Sequence, residues 1–210
     1  MGTPPAAFRT DRVFGLRWFP AVGKKNIDGQ ARCDCNLEVV ITDLVQIKRL
    51  GEKKRDENGR FRKYMKSRVF VERQFRKAAE EVTDGIDCRQ CAECCRVTEV
   101  QLAERDIQKL AHFLGLSEKA FLDKHTARDE DNVLILRRNA KGCEFLDGND
   151  CTVYEARPGN CERFPHLLKG SGSLESRMWA LVDRATYCPI VYNWMEKVKA
   201  LTKFRPTSGS

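Results

Sequence analysis

The stretch that decides the fold is Cys88-Arg-Gln-Cys91-Ala-Glu-Cys94-Cys95, in which two Cys-x-x-Cys turns follow each other directly. A Cys-x-x-Cys turn can direct two sulfur atoms at one ion, while its backbone amides partly offset the charge of the thiolates. The side chains of adjacent residues usually diverge, so Cys94 and Cys95 are not expected to bind the same tetrahedral ion unless the backbone is unusual or a sulfur bridges. The stretch therefore predicts either that these two cysteines bind two different metal ions, or that one of them is a ligand and the other assists it.

Further cysteines follow this stretch and bring the number after residue 87 to eight, which is enough for two shells of four sulfurs. They are Cys143, Cys151, Cys161 and Cys188. A thiolate set of this size suits zinc or an iron-sulfur cluster and argues against calcium, magnesium and manganese, which prefer oxygen ligands. Each cysteine could instead be a small buried apolar residue, a common fate of free cysteine. Cys33 and Cys35 could be an extra ligand pair or have no part in the site.

The cysteine content also bears on the compartment. Ten cysteines in 210 residues is many for a reduced cytosolic protein, and five disulfides in an exported protein are the alternative. Residues 1–19 are interrupted by charges and lack the apolar stretch of a secretory signal, and no run of about 18 apolar residues occurs. We therefore expect a cytoplasmic protein without a membrane segment, in which the cysteines bind metal rather than form disulfides.

The net charge of +8 is unevenly distributed along the chain. Residues 1–80 hold 19 Lys or Arg against 10 Asp or Glu, and most of the excess lies in residues 48–77. Phe61, Tyr64 and Phe70 stand among these cations and could offer faces for stacking. Such asymmetry is found in arms that meet nucleic acid or another acidic partner, and equally in a solvated linker and helix face.

Periodicity and turn residues predict an α+β fold with a basic N-terminal extension, residues 1–67, before a cysteine-cluster metal-binding domain, residues 68–205. We expect an extended segment over 1–36, a strand or a strand running into a helix over 37–47, and a charged loop over 48–63. The remaining predicted elements are helices over 68–82, 107–114, 117–125 and 190–204, strands over 133–137 and 178–182, and a hairpin of 143–146 and 151–154 around the turn 147–150.

Three blocks occur together and in order, namely CRQCAECC, VQLAERDIQKLAHFLGLS, and CEFLDGNDCTVYEARPGNCERFP with a later YCP. In this combination, over residues 86–192, the chain resembles the YkgJ-type CxxCxxCC cysteine-cluster family, whose members are described as zinc- or iron-chelating. The resemblance implies the metal ligands Cys88, Cys91, Cys94, Cys95, Cys143, Cys151 and Cys161 and, less directly, Cys188. Members are often labelled iron-sulfur proteins or oxidoreductases. One branch is similar to enzymes that methylate flagellin lysines, but no glycine motif for a methyl donor occurs here.

Two side chains near the later cysteines could also take part in the site. His166 follows Phe-Pro where the family commonly has an aromatic residue, and it could be a ligand, a proton carrier or a surface histidine. Arg157 could donate hydrogen bonds to the thiolates or brace its turn through backbone carbonyls. His112 and His125 are expected to be packing or surface groups.

Three functions remain open at this point. The first is a metal-binding protein that coordinates zinc or iron in a closed site. The second is an iron-sulfur redox enzyme, which needs a cluster or an open coordination position. The third is a nucleic-acid-binding zinc module that uses residues 48–77. No serine-histidine-acid pattern or phosphate-binding glycine loop points to a substrate, so binding is favoured over catalysis.

Overall fold

A computed structural model describes residues 40–170 and 172–206, and more of these residues lie in helices than in the short paired strands. The helices are α1 Leu44–Lys53, α2 Arg55–Lys66, α3 Glu72–Asp84, α4 Cys88–Cys91, α5 Glu93–Val97, α6 Glu104–Phe113, α7 Glu118–His125, α8 Gly159–Arg163, α9 Leu174–Arg184 and α10 Pro189–Leu201. The strands are β1 Thr126–Arg128, β2 Leu134–Leu136, β3 Arg138–Asn139, β4 Gly142–Cys143, β5 Leu146–Asp147 and β6 Asp150–Cys151, and a 3-10 turn spans Tyr154–Ala156. The α+β prediction is confirmed.

The strands form three separate antiparallel pairs, β1 with β2, β3 with β4 and β5 with β6. The register places Cys143 opposite Arg138 and Cys151 opposite Leu146. The predicted hairpin around 147–150 is present with shorter strands, and Gly148 takes the left-handed conformation that the turn needs, at φ +59°. The strands that carry cysteines are therefore only two residues long and lie directly beside tight turns.

A first hydrophobic core lies between α2, α3, α9 and α10. Trp194 of α10 is fully buried there, and its indole Nε1 donates to the Phe75 carbonyl at 3.0 Å. The helix predicted over 68–82 is present as α3, which begins at Glu72, and its Phe75, Ala78, Ala79 and Val82 are all buried. Helix α3 then leads directly into α4 and the cysteines.

A second core lies between α6, α7 and the strands, around the fully buried Leu110 and Phe121. Helices α6 and α7 confirm two of the sequence predictions. Gly115 ends the first of them at φ +68°, and the Ser117 side chain caps the second by accepting from the Ala120 amide. Local signals were sufficient here because each helix carries its own stop or start residue.

The predicted charged loop over 48–63 is wrong, because α1 and α2 cover it almost entirely. Ile47, Phe61 and Met65 form a buried apolar side of these two helices, and the charges occupy the rest of their surface. Of the strand, or strand running into a helix, predicted over 37–47, the helix is present, since α1 begins at Leu44, but the described residues 40–43 before it are irregular rather than a strand.

Two further expectations are also corrected. Residues 178–182 form the middle of α9 rather than a strand, with Met178 and Leu181 buried one helical turn apart. Phe61 offers no stacking face, because it is completely buried. Tyr64 and Phe70 are half-buried and pack on each other with ring centroids 5.7 Å apart.

The segment 1–36, with Cys33 and Cys35, lies outside the described residues. Helices α1 and α2 precede the predicted domain boundary after residue 67, and they pack against α10 and α9. The boundary itself stays a prediction. None of the helices in the described part of the chain combines the length and apolar character needed to span a membrane.

Candidate metal centre

One cavity of about 890 Å³ collects every cysteine of the described residues. All of them are free thiols, namely Cys88, Cys91, Cys94, Cys95, Cys143, Cys151, Cys161 and Cys188. They come from α4, α5, β4, β6, α8 and the residue that caps α10. The fold therefore brings together all eight cysteines predicted as ligands.

The two tandem Cys-x-x-Cys turns are separated by a sharp change in backbone direction. The Asp87 side chain caps α4 by accepting from the Arg89 amide at 2.9 Å, and α4 ends after one turn. Ala92 then adopts a left-handed conformation at φ +49°, and α5 begins directly after it. This reversal is what presents Cys94 and Cys95 to the cavity from a second helix.

Hydrogen bonds fasten the β5–β6 turn onto these helices. The Arg96 guanidinium donates to the Cys91 carbonyl at 2.8 Å and to the Gly148 carbonyl at 2.9 Å, and it also contacts the Asn149 side chain. The Asn149 amide group in turn donates to the Gln90 carbonyl at 2.9 Å. The turn before Cys151 is thus held against the turn that carries Cys91.

Close backbone contact brings β4 beside α5. A Cβ atom on Gly142 would lie only 2.6 Å from the Cys95 carbonyl oxygen and 2.7 Å from the Arg96 Cα, and its φ is +119°. Only glycine fits such an approach without displacing the backbone. The following residue, Cys143, consequently lies next to Cys95.

Cys188 reaches the cavity from the first hydrophobic core. It is buried, stands at the start of α10 and belongs to the first core, and its amide donates to the Arg184 carbonyl at 2.8 Å. Just before it, the backbone that follows α9 contacts α1 closely, since a Cβ on Gly51 would lie 2.5 Å from the Ala185 oxygen. Helix packing therefore fixes the position of Cys188.

The electrostatics of the cavity favour protonated thiols in the absence of a cation. Burial raises the pKa of Cys143 to about 11 and the pKa of Cys161 and Cys188 to about 12. These thiols stay neutral near pH 7, and a bound cation would have to displace their protons. Zinc and iron suit such donors because both bind thiolate sulfur readily.

Cys94 and Cys95 behave differently from the other thiols. A hydrogen bond from the Cys94 thiol to Cys95 raises the pKa of Cys94 above its usual range and lowers the pKa of Cys95 to about 7. The nearby cation of Arg96 lowers the pKa of Cys95 further. The two thiols are therefore close enough for the ionisation of one to affect the other.

In the part of the chain that the structure describes, no three Cys, His, Asp or Glu side chains already have the geometry of an assembled ion site. The cysteines surround the cavity, and binding would require their side chains to turn toward a common centre. Rotation about χ1 is the ordinary freedom of a cysteine side chain. The donor set fits a thiophilic cation in chemistry and number, while its final geometry would form with the ion.

The histidines take different places around this centre. His166 lines the cavity and is half-buried, so it is not an exposed surface group. Burial and the cations of Arg184, Arg163 and Arg177 lower the pKa of His166 to about 4, which leaves its imidazole neutral. His112 is exposed, and His125 packs between the rings of Phe121 and Phe145, as expected of packing or surface groups.

Sequence reasoning missed the residues that position the cysteines rather than the cysteines themselves. Gly142, Ala92, Arg96 and Asn149 hold the strands and short helices together around the cavity. Gly142 directly before a cysteine was a usable signal, because glycine often marks close backbone contact. Ala92 gave none, since alanine rarely adopts a left-handed conformation.

Comparison with known proteins agrees with this geometry. Residues 87–189 match the family model CxxCxxCC, described as "Putative zinc- or iron-chelating domain", and this range includes all eight cysteines of the cavity. No solved structure matches the chain significantly. The resemblance found in the sequence is confirmed over residues 87–189, which match the CxxCxxCC domain family.

Proposed function

We propose that this domain binds zinc or iron through the cysteines of the cavity. The observation that carries the proposal is the convergence of eight free thiols, from six separate parts of the fold, on one cavity. The proposed ligands are Cys88, Cys91, Cys94, Cys95, Cys143, Cys151, Cys161 and Cys188. A set made entirely of sulfur is typical of zinc sites and iron-sulfur clusters.

The number of sulfurs supports a binding role ahead of a catalytic one. A closed shell of four thiolates leaves no coordination position for a substrate or water. An iron-sulfur redox enzyme stays the alternative, because a cluster would use the same ligands. The free thiols also support a cytoplasmic location, where cysteines are kept reduced.

The test is elemental analysis with sulfide determination and an absorption spectrum, on full-length protein purified without oxygen and without a metal-capturing tag. Iron with sulfide and a broad absorbance near roughly 400 nm would assign a cluster. Colourless protein with stoichiometric zinc would assign closed zinc sites. Protein that contains neither metal and takes up neither on anaerobic reconstitution would contradict the proposal.

A further inference from the structure

We propose that the cavity holds two separate four-sulfur sites, which meet at the adjacent residues Cys94 and Cys95. The inference rests on the proposed metal-binding function and assigns its ligands to individual sites. The helical set is Cys88, Cys91, Cys94 and Cys188, and the hairpin set is Cys95, Cys143, Cys151 and Cys161. Each set takes one thiophilic centre, either a tetrahedral Zn²⁺ ion or one iron-sulfur cluster.

The two hydrophobic cores divide the cysteines in this way. Cys143 is buried in the second core, and the other three members of the hairpin set pack against the same core. Cys188 belongs to the first core, as does Ile86, which stands two residues before Cys88. The hairpin set therefore packs on the second core, whereas Cys188 of the helical set is buried in the first.

The hairpin set is brought together by backbone contact. Gly142 lets β4 approach the Cys95 carbonyl, and β4 carries Cys143. All four residues line the same cavity beside the second core. They therefore come together even though 66 positions separate the first from the last.

The helical set surrounds the start of α10. Cys188 is buried there and lines the cavity, as do Cys88 and Cys91, the first and last residues of α4. Cys94, on α5, lines the same cavity. Assigning Cys95 to the hairpin set, where its core contacts place it, leaves Cys94 to complete the helical set.

Some cysteines, and the side chain of Arg157, lie near members of both sets. Cys91 lies near Cys95, and Cys94 lies near Cys161. Arg157 lies between the two sets, because its cation favours the thiolate form of Cys88 and also of three hairpin-set members. Its guanidinium stacks on Tyr154 at 3.7 Å from the ring centroid. Its buried Nε has no hydrogen-bond partner within the described residues, so this donor is available to a thiolate.

The experiment measures Zn²⁺ or Co²⁺ bound per chain, by elemental analysis and cobalt absorption, in full-length protein loaded anaerobically. Wild type is expected to bind about two ions, and Cys88→Ser or Cys151→Ser about one each. The decisive comparison uses double variants with equal numbers of substitutions. Cys88→Ser with Cys188→Ser alters one set and should keep about one ion, whereas Cys88→Ser with Cys151→Ser alters both sets and should keep none.

One bound ion in wild type would overturn the two-site inference while leaving the metal-binding function intact. Loss of both ions from the same-set double variant, with one ion kept in the cross-set variant, would overturn it too. Wild type that binds no metal would refute the proposed function itself.

If the variants fail to fold, the inference can be tested on the unmodified protein instead. Bound metal is withdrawn stepwise with a chelator, released thiols are alkylated with N-ethylmaleimide, and each cysteine is followed by mass spectrometry. Thiols of one set should become reactive together and in a different step from the other set. Simultaneous release of all eight thiols, or release in groups that mix the two sets, would overturn the inference.

Discussion

Replacing Gly142 by alanine tests how strongly the hairpin cysteines depend on close contact between β4 and α5. The added Cβ would lie 2.6 Å from the Cys95 oxygen, whereas ordinary contact begins at 3.4 Å, so the strand must move by about 0.8 Å. Such overpacking costs about 1–3 kcal/mol, and the φ of +119° adds about 1–3 kcal/mol of backbone strain. The free energy of unfolding should fall by about 2–6 kcal/mol.

The same displacement should weaken metal binding, because distances between metal and sulfur tolerate only about 0.2 Å of error. Affinity should fall at least about tenfold, in the range seen when residues that orient metal ligands are removed. The assays are denaturant unfolding of the metal-loaded protein and competition with a chromogenic chelator. Both use anaerobic, full-length protein.

Gly115→Ala is the matched control, since Gly115 has a φ of +68° but nothing lies within 4 Å of its added Cβ. It should lose about 1–2 kcal/mol through backbone strain and keep its metal affinity. If Gly142→Ala were no less stable than Gly115→Ala and bound metal as tightly as wild type, the close approach of β4 to α5 would be refuted.

Three more predictions follow from other contacts. Arg157→Gln should lower metal affinity about 10- to 100-fold, because it removes a cation between the thiolates, whereas the control Arg105→Gln, at an exposed position, should not lower it. Affinity is measured by chelator competition, and equal affinities of the two variants would contradict the prediction. Gly51→Ala should lower the free energy of unfolding by about 1–3 kcal/mol in denaturant titrations, because its Cβ would meet the Ala185 oxygen at 2.5 Å; an unchanged midpoint would exclude that contact. The pKa of Cys188 is raised from 9.0 to about 12, so metal-free protein should lose stability as pH rises from about 9 to 12, and Cys188→Ala should flatten that dependence. The free energy of unfolding is measured in EDTA at a series of pH values. Identical slopes of this free energy against pH for wild type and variant would argue against the prediction.

Local signals determined which parts of the fold could be predicted. Helix α7 carries a capping serine and α6 a terminal glycine, and the β5–β6 turn contains Asp-Gly, so these elements followed from short stretches of sequence. Helices α1 and α2 could not be predicted in this way, because their few buried residues stand among many charged ones and because Asn58-Gly59 resembles a turn. The short apolar run 178–182 fits a strand or a buried helix equally well until its packing is known.

The cysteines that line the candidate site could be predicted, but not how they are grouped. Cysteine is chemically distinctive, so counting and spacing were enough to single out Cys88 to Cys188. Which sulfurs are neighbours depends on how two cores pack and on a backbone reversal at Ala92. Neither the packing of distant segments nor a left-handed alanine leaves a recognisable pattern in the chain.

The position of Cys188 at the start of the last helix has a consequence for the whole chain. An ion shared by Cys88 and Cys188 would act as a cross-link that closes a loop of about 100 residues, and a closed loop of that length reduces the entropy of the unfolded chain by an amount worth about 4–5 kcal/mol. That loop begins just after α3 and ends where α10 begins, so the ion would join the two ends of the cysteine-rich segment beside the first core. A bound metal would thus stabilise helices that lie well away from its ligands.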